Sequence, residues 1–141
     1  MEALFDQAAL TEHDVDLATS GLCGTFALAL YREVIRRGVP ALLVFACLGK
    51  PDGTPEFVPG HEGDIRQIRW RHALVKVGND FYDVEGRVEV AHVYENYCWN
   101  QVVAGGVSIP VTLRQFIDIL RQTRSSYDGR NYVRWKRALS R

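Results

Sequence analysis

The chain has 141 residues, of which 47% are hydrophobic and 24% charged, and its 17 basic and 17 acidic residues balance. This length predicts a single domain over residues 1–141 and excludes two full-sized domains, and the composition is typical of a soluble globular protein. No apolar run approaches the length of a membrane span, so we expect no membrane partner.

The first residues and the cysteines indicate the compartment. The segment MEALFDQAAL is acidic, unlike the basic start of a signal peptide. Cys23, Cys47 and Cys98 are odd in number and widely spaced, which favours free thiols in a reducing compartment over a disulfide framework. We therefore expect a cytoplasmic protein, with export lacking a recognisable signal as the alternative.

The charges are distributed unevenly along the chain. Residues 1–30 hold five acids and neither Lys nor Arg, whereas residues 121–141 hold seven bases and one acid. Such a basic tail is used either to bind nucleic acid or an acidic partner, or to dock on the acidic beginning of the chain. Tyr132, Trp135 and Leu139 form a helical stripe that favours packing on the domain. With a neutral net charge, we do not expect a nucleic-acid partner.

The first third of the chain predicts a central helix. Residues 3–10 favour a short helix, and residues 11–20 a polar connector. Ser20 stands at the expected N-cap of a helix that runs to Arg37, and Gly38 and Pro40 end it. The segment FALALY within this helix is apolar on nearly every side and predicts a position in the middle of the domain.

Strands and further helices follow. Residues 41–49 predict a buried strand. Residues 50–64 predict a long surface loop of the kind that is often functional. Residues 69–77 and 81–86 predict a hairpin that turns at Gly78–Asp80. Residues 86–103 are ambiguous. Residues 109–124 predict a helix with Thr112 and Gln115 at capping-box spacing, and a basic helix follows it. Its predicted buried face comprises Leu113, Phe116, Ile117 and Leu120. This order favours an α+β fold with a mostly antiparallel sheet.

Cys23 is the first candidate for chemistry. It falls in the first turn of the central helix, where unpaired N–H groups and the helix dipole favour a thiolate and can stabilise an oxyanion. Gly21 and Gly24 remove side chains beside the sulfur, which would let a substrate approach. Because cysteine is also a common core residue, this position needs a base to support a catalytic role.

His72 and the following strand supply such a base. His72 opens an apolar strand, and the strand after the turn carries Asp83 and Glu85. A thiol nucleophile needs an imidazole to accept its proton, and the imidazole needs a partner that fixes its tautomer. Cys47 lies inside the apolar strand and Cys98 among aromatic residues, which predicts packing roles for both.

The order of these residues resembles the papain-like cysteine-enzyme superfamily, in the style of its transglutaminase-like and cell-wall-peptidase branches. The resemblance covers about residues 20–86 and implies a central helix packed on an antiparallel sheet, followed by C-terminal helices over about 111–141. It implies Cys23 as nucleophile, His72 as general base and acid, and Asp83 as the group that orients His72.

Two features depart from that pattern. No glutamine lies just before Cys23 to complete an oxyanion hole, which leaves Gln7 and Gln101 as candidates. With a tight turn at Asn79–Asp80, Arg87 would face His72, and Asp83 would lie about 13 Å along the strand on ideal geometry. Glu85 is therefore an alternative orienting group.

The sequence thus predicts a thiol-dependent acyl-transfer enzyme acting on an amide or ester through an acyl-thioester, as a peptidase, amidase, glutamine deamidase or transglutaminase-like enzyme. A protein or peptide substrate follows from this. The four histidines and three cysteines lack zinc spacing, so neither a metal nor another cofactor is expected. The alternative is a non-catalytic interaction module with the same fold, binding through residues 50–64 and the basic tail.

Overall fold

The computed structural model of the chain describes residues 1–98, 105–122 and 127–141. Within these ranges the helices are α1 (Glu2–Ala8), α2 (Glu12–Thr19), α3 (Cys23–Arg36), α4 (Val90–Tyr97), α5 (Leu113–Gln122) and α6 (Gly129–Leu139). The strands are β1 (Leu42–Leu48), β2 (Trp70–Val77), β3 (Asp80–Asp83), β4 (Gly86–Val88) and β5 (Gly106–Val111). One turn of 3-10 helix spans Ile65–Gln67. No helix of the described ranges is long and apolar enough to cross a bilayer.

The strands form one antiparallel sheet in the order β4-β3-β2-β1-β5. Helix α3 packs on one face of this sheet and on α6, and it contributes Phe26, Ala29 and Leu30 to the main core. On the other face, Val93 of α4 packs against Val44 and Leu74 in a smaller core. The α+β class and the antiparallel sheet are confirmed.

The N-terminal third differs from the prediction in one element. Residues 12–19, expected in a connector, form α2 because Thr11 and Asp14 make a capping box. The Thr11 hydroxyl accepts from Asp14 N at 3.2 Å, and the Asp14 carboxylate accepts from Thr11 N at 2.8 Å. Ser20 is therefore not the N-cap of the central helix, because it ends α2 and its hydroxyl donates to the Asp16 carbonyl. Leu22 occupies the N-cap of α3, without a side-chain cap.

Gly24 has a different role from the one expected. It allows close packing within the core, because a Cβ at this position would clash with the Leu120 side chain of α5. Gly21, by contrast, is exposed and has a φ of 135°, a backbone conformation that favours glycine. Of the two glycines, only Gly21 leaves open space beside Cys23.

The β2–β3 hairpin turns one residue earlier than predicted. Val77 pairs with Asp80, so the loop consists of Gly78 and Asn79, and Gly78 has a φ of 60°. A type II′ hairpin places glycine at this first loop position, which explains the choice of turn. Compared with a turn at Asn79–Asp80, this earlier turn shifts the pairing of the two strands by two residues, which decides what lies near His72.

The segment left ambiguous by the sequence contains β4 and α4, and β5 follows it. The sequence did not predict β5, because Gly105, Gly106 and Pro110 are typical of a loop. The helix predicted over residues 109–124 begins instead at Leu113, because residues 109–111 pair with β1 as the end of β5. Pro110 is tolerated because β5 is an edge strand, paired with β1 alone among the described strands. The capping box of α5 is confirmed by hydrogen bonds between Thr112 and Gln115. On its predicted buried face, Phe116 and Leu120 are buried, whereas Leu113 and Ile117 are half-buried. Ile119, which was not part of that prediction, is also buried.

The basic C-terminal helix docks on the acidic N-terminal part of the chain. Trp135 Nε1 donates to Asp14 Oδ1 at 3.0 Å, and Arg134 forms an ion pair with the same oxygen at 2.6 Å. Trp135 and Leu139 are buried and Tyr132 is half-buried, so the stripe packs as predicted. Part of the positive charge of the tail is therefore paired with a carboxylate of the same molecule.

Candidate active site

Cys23 is the first residue of α3 and lies in a cleft of about 390 Å³. Cys23 lies at the edge of the core, and 8% of the residue is exposed to solvent. The cleft is formed by the segment before α3, the beginning of β2 and the end of α4, and its lining includes Gly21, Cys23, Trp70, Arg71, His72 and Tyr97. The sulfur therefore lies where a helix begins and where solvent has access.

His72 lies on β2 directly after a bulge. Ala46 of β1 pairs with His72 while the next residue, Cys47, pairs with Trp70, so Arg71 is the extra residue of β2. Bulges redirect side chains and are common beside active sites. The imidazole is fully buried, and its ring stacks on the Tyr97 ring of α4 at 4.0 Å and 7°.

Asp83 makes the hydrogen bond that orients His72. Its Oδ2 lies 2.9 Å from His72 Nε2, and its Oδ1 accepts from Glu85 N at 2.8 Å. Continuing the observed register places Glu85 opposite His72 and Asp83 only two residues away. Side chains on such a diagonal can reach each other, so the expected separation of about 13 Å was wrong. Glu85 itself is exposed and contributes only its backbone N–H.

The environment of His72 favours its protonated form. Burial lowers the pKa of the imidazole, but the hydrogen bond to Asp83, the nearby Cys23 thiol and the charge of Asp83 outweigh burial and raise it to about 9. Nε2 is bound to Asp83, which leaves Nδ1 for the thiol. Nδ1 makes no hydrogen bond within the described residues. Thiol–imidazole contacts of unliganded enzymes are often long and tighten when substrate binds.

The backbone at the start of α3 can serve as an oxyanion hole. Helix geometry leaves the N–H groups of Cys23 and Gly24 without acceptors inside the helix. Gln7 is exposed on α1 and is not part of the cleft lining, so it does not supply the second donor in this arrangement. Gln101 lies outside the described residues.

The other two cysteines differ clearly from Cys23. Cys47 and Cys98 are fully buried, and burial raises their pKa values to about 12 and about 11. Both therefore have the packing positions that the sequence predicted. Among the described residues, no cluster of His, Cys, Asp and Glu is arranged to hold a metal ion.

Sequence reasoning missed two residues of this cleft, Tyr97 and Arg71. Burial raises the pKa of Tyr97 to about 12, helped by the charges of Asp83, Glu85 and Cys23, so its hydroxyl stays neutral. The aromatic segment NYCWN gave a signal for Tyr97, but only as packing. A bulge leaves no sequence signature, so Arg71 could not be assigned to the cleft.

Comparisons with protein-family models, with curated protein sequences and with solved structures found no match to this chain. The assignment of a function therefore depends on the site itself.

Proposed function

We propose that this protein is a thiol-dependent acyl-transfer enzyme with a papain-like core, in which Cys23 is the nucleophile, His72 the general base and acid, and Asp83 the orienting group. The observation that carries the proposal is that Cys23 and His72 line one cleft while His72 Nε2 lies 2.9 Å from Asp83 Oδ2. Its residue types and order match those that activate a thiol in nucleophilic catalysis.

The first half of the reaction forms an acyl-thioester. The sulfur of Cys23 attacks the carbonyl carbon of an amide or ester, with the proton of the thiol held on His72. The carbonyl oxygen becomes an oxyanion, which the N–H groups of Cys23 and Gly24 stabilise. The tetrahedral intermediate then collapses, the carbon–nitrogen or carbon–oxygen bond breaks, and His72 donates its proton to the leaving group.

The second half releases the acyl group. Water or an amine attacks the thioester carbonyl, His72 accepts the proton of the attacking group, and the carbon–sulfur bond breaks to restore Cys23. Water makes the protein a peptidase, amidase or glutamine deamidase, whereas an amine makes it a transglutaminase-like enzyme. Asp83 holds the ring in one tautomer and stabilises the imidazolium throughout.

Selective alkylation tests the nucleophile. We expect iodoacetamide at pH 6 to modify Cys23 far faster than Cys47 or Cys98, because Cys23 lines the cleft beside His72 at the start of α3 and the other two thiols are buried with raised pKa values. Peptide mapping by mass spectrometry gives the three rates. His72→Ala should slow the labelling of Cys23 by about tenfold or more, the size of effect typical of losing a catalytic base. His92→Ala, an exposed histidine outside the cleft lining, is the matched control.

Acyl transfer needs its own readout. With p-nitrophenyl acetate, the wild-type protein should release nitrophenolate in a burst and carry one acetyl group on Cys23, and Cys23→Ser should abolish both. Equal labelling of the three cysteines, or labelling of Cys23 that His72→Ala leaves unchanged, would overturn the proposal.

A further inference from the structure

The described lining of the Cys23 cleft carries positive but no negative charge. Two arginines, Arg69 and Arg71, take part in it, and no Asp or Glu does. Arg69 is paired with Glu56 at 3.0 Å, which neutralises it. Arg71 is exposed and forms no ion pair within the described ranges of the chain. One uncompensated guanidinium therefore remains in the cleft.

The bulge explains why this charge lies beside the reacting groups. Arg71 is the inserted residue between the Cys47–Trp70 and Ala46–His72 pairs, directly before the candidate base. The charge of Arg71 also acts at the end of α4. There it lowers the pKa of Cys98, against the larger effect of burial, which raises it. Arg71 thus lies on the same strand as His72, and its charge acts near the end of the helix that carries Tyr97.

The carboxylates of Asp83 and Glu85 do not neutralise Arg71. Asp83 is buried with 4% exposed and is bound to His72 and to the Glu85 N–H. Glu85 is exposed and lines cavities other than the Cys23 cleft. An arginine binds carboxylates through paired N–H donors and is fully charged at any working pH, so a free one in a cleft is suited to an anionic ligand.

We propose that Arg71 is a specificity-determining residue and that the substrate of Cys23 carries a carboxylate next to the attacked carbonyl, as in an acidic peptide or amide. This inference rests on the proposed function, because it assigns the substrate class of the same thiol. The carboxylate would bind the Arg71 guanidinium while the scissile carbonyl lies between the sulfur and the start of α3.

A pair of small electrophiles tests this proposal. Iodoacetate and iodoacetamide both alkylate sulfur with loss of iodide, but only iodoacetate carries a carboxylate. We expect Arg71→Gln to lower the ratio of the iodoacetate rate to the iodoacetamide rate at Cys23 by about three- to tenfold, the effect of removing one charge several ångströms away in a partly solvated site. High salt should reduce the wild-type ratio, because it screens this attraction.

The control removes an equivalent charge elsewhere. Arg130→Gln changes an exposed arginine of α6 that is not part of the cleft lining and should leave the ratio unchanged. If Arg71→Gln leaves the ratio at the wild-type value while iodoacetamide still selects Cys23, the substrate inference is wrong and the proposed function stands. If iodoacetamide does not select Cys23, both are wrong.

Discussion

Tyr97 holds the ring of His72 in place at the centre of the candidate site. The two rings are nearly parallel, and Asp83 fixes the same imidazole in its plane through Nε2. Two perpendicular constraints on one ring leave little freedom for Nδ1, the nitrogen that Asp83 does not bind. Such fixed geometry is what a proton transfer between sulfur and nitrogen requires.

Substitution of Tyr97 separates the role of the ring from that of its hydroxyl. Tyr97→Ala removes the stack, which contributes about 0.5–1.5 kcal/mol beyond burial, and should slow the alkylation of Cys23 several-fold. Tyr97→Phe keeps the stack and should react like the wild type, because the hydroxyl makes no hydrogen bond to a described residue. The measurement is the rate of Cys23 labelling at pH 6. Equal rates for Tyr97→Ala and wild type would show that the stack does not position His72.

The elements that build the site are held in place by close packing at the start of α3. Gly24 lies against Leu120 of α5, a residue only 2% exposed, so α5 approaches the first turn of α3 as closely as the absence of a side chain allows. The position of α5 is in turn set by the capping box that starts it directly after β5. The start of α3 therefore depends on residues that do not line the cleft.

A double-mutant cycle measures this contact between α3 and α5. Gly24→Ala should destabilise the protein by about 1–3 kcal/mol through overpacking against Leu120, even though alanine is the better helix former. Leu120→Ala alone leaves a cavity, but it makes room for the added methyl group, so the double variant should be more stable than the sum of the two single effects predicts. Urea unfolding gives the free energies. Strict additivity would contradict the contact.

At the scale of the whole molecule, the chain ends are joined through one buried carboxylate. Asp14 is 5% exposed, and its carboxylate accepts hydrogen bonds from Thr11 and Trp135 and forms an ion pair with Arg134. Burial raises its pKa, but the hydrogen bonds of Thr11 and Trp135 and the charge of Arg134 together lower it below its usual value. Helix α2, which Asp14 also caps, leads directly into Cys23, so this tie supports the approach to the site.

The sequence was sufficient to select candidate residues for the site and insufficient for the distances between them. Cys23, His72 and Asp83 could be chosen because a thiol, an imidazole and a carboxylate in that order have a chemical logic. The distance from His72 to Asp83 could not be predicted, because it depends on whether the hairpin turns at Gly78–Asn79 or one residue later. Tyr97 and Arg71 depend on the placement of α4 and on a bulge, which only tertiary packing determines.

The raised pKa of His72 makes the stability of the whole molecule depend on pH. The imidazole titrates at about 9 in the folded protein, against 6.5 for an unperturbed histidine. The folded state therefore retains a proton that the unfolded state loses above pH 6.5, so this stabilisation is complete below pH 6.5 and is lost as the pH rises toward 9. The limit for one proton is about 1.4 kcal/mol per pH unit.

Urea unfolding between pH 6.5 and 8.5 measures this loss. Near pH 8.5 the thiols of Cys47 and Cys98 ionise in the unfolded chain, because their pKa values are raised to about 12 and about 11 only in the fold, and this adds the same background to every variant. We expect the His72 proton to lower the wild-type free energy of unfolding by up to about 2 kcal/mol across this range, beyond that background. Asp83→Asn should flatten the decline, because it removes a hydrogen-bonded charge that holds the proton on His72, whereas Glu85→Gln should preserve it. If Asp83→Asn declines as steeply as the wild type, Asp83 does not stabilise the imidazolium.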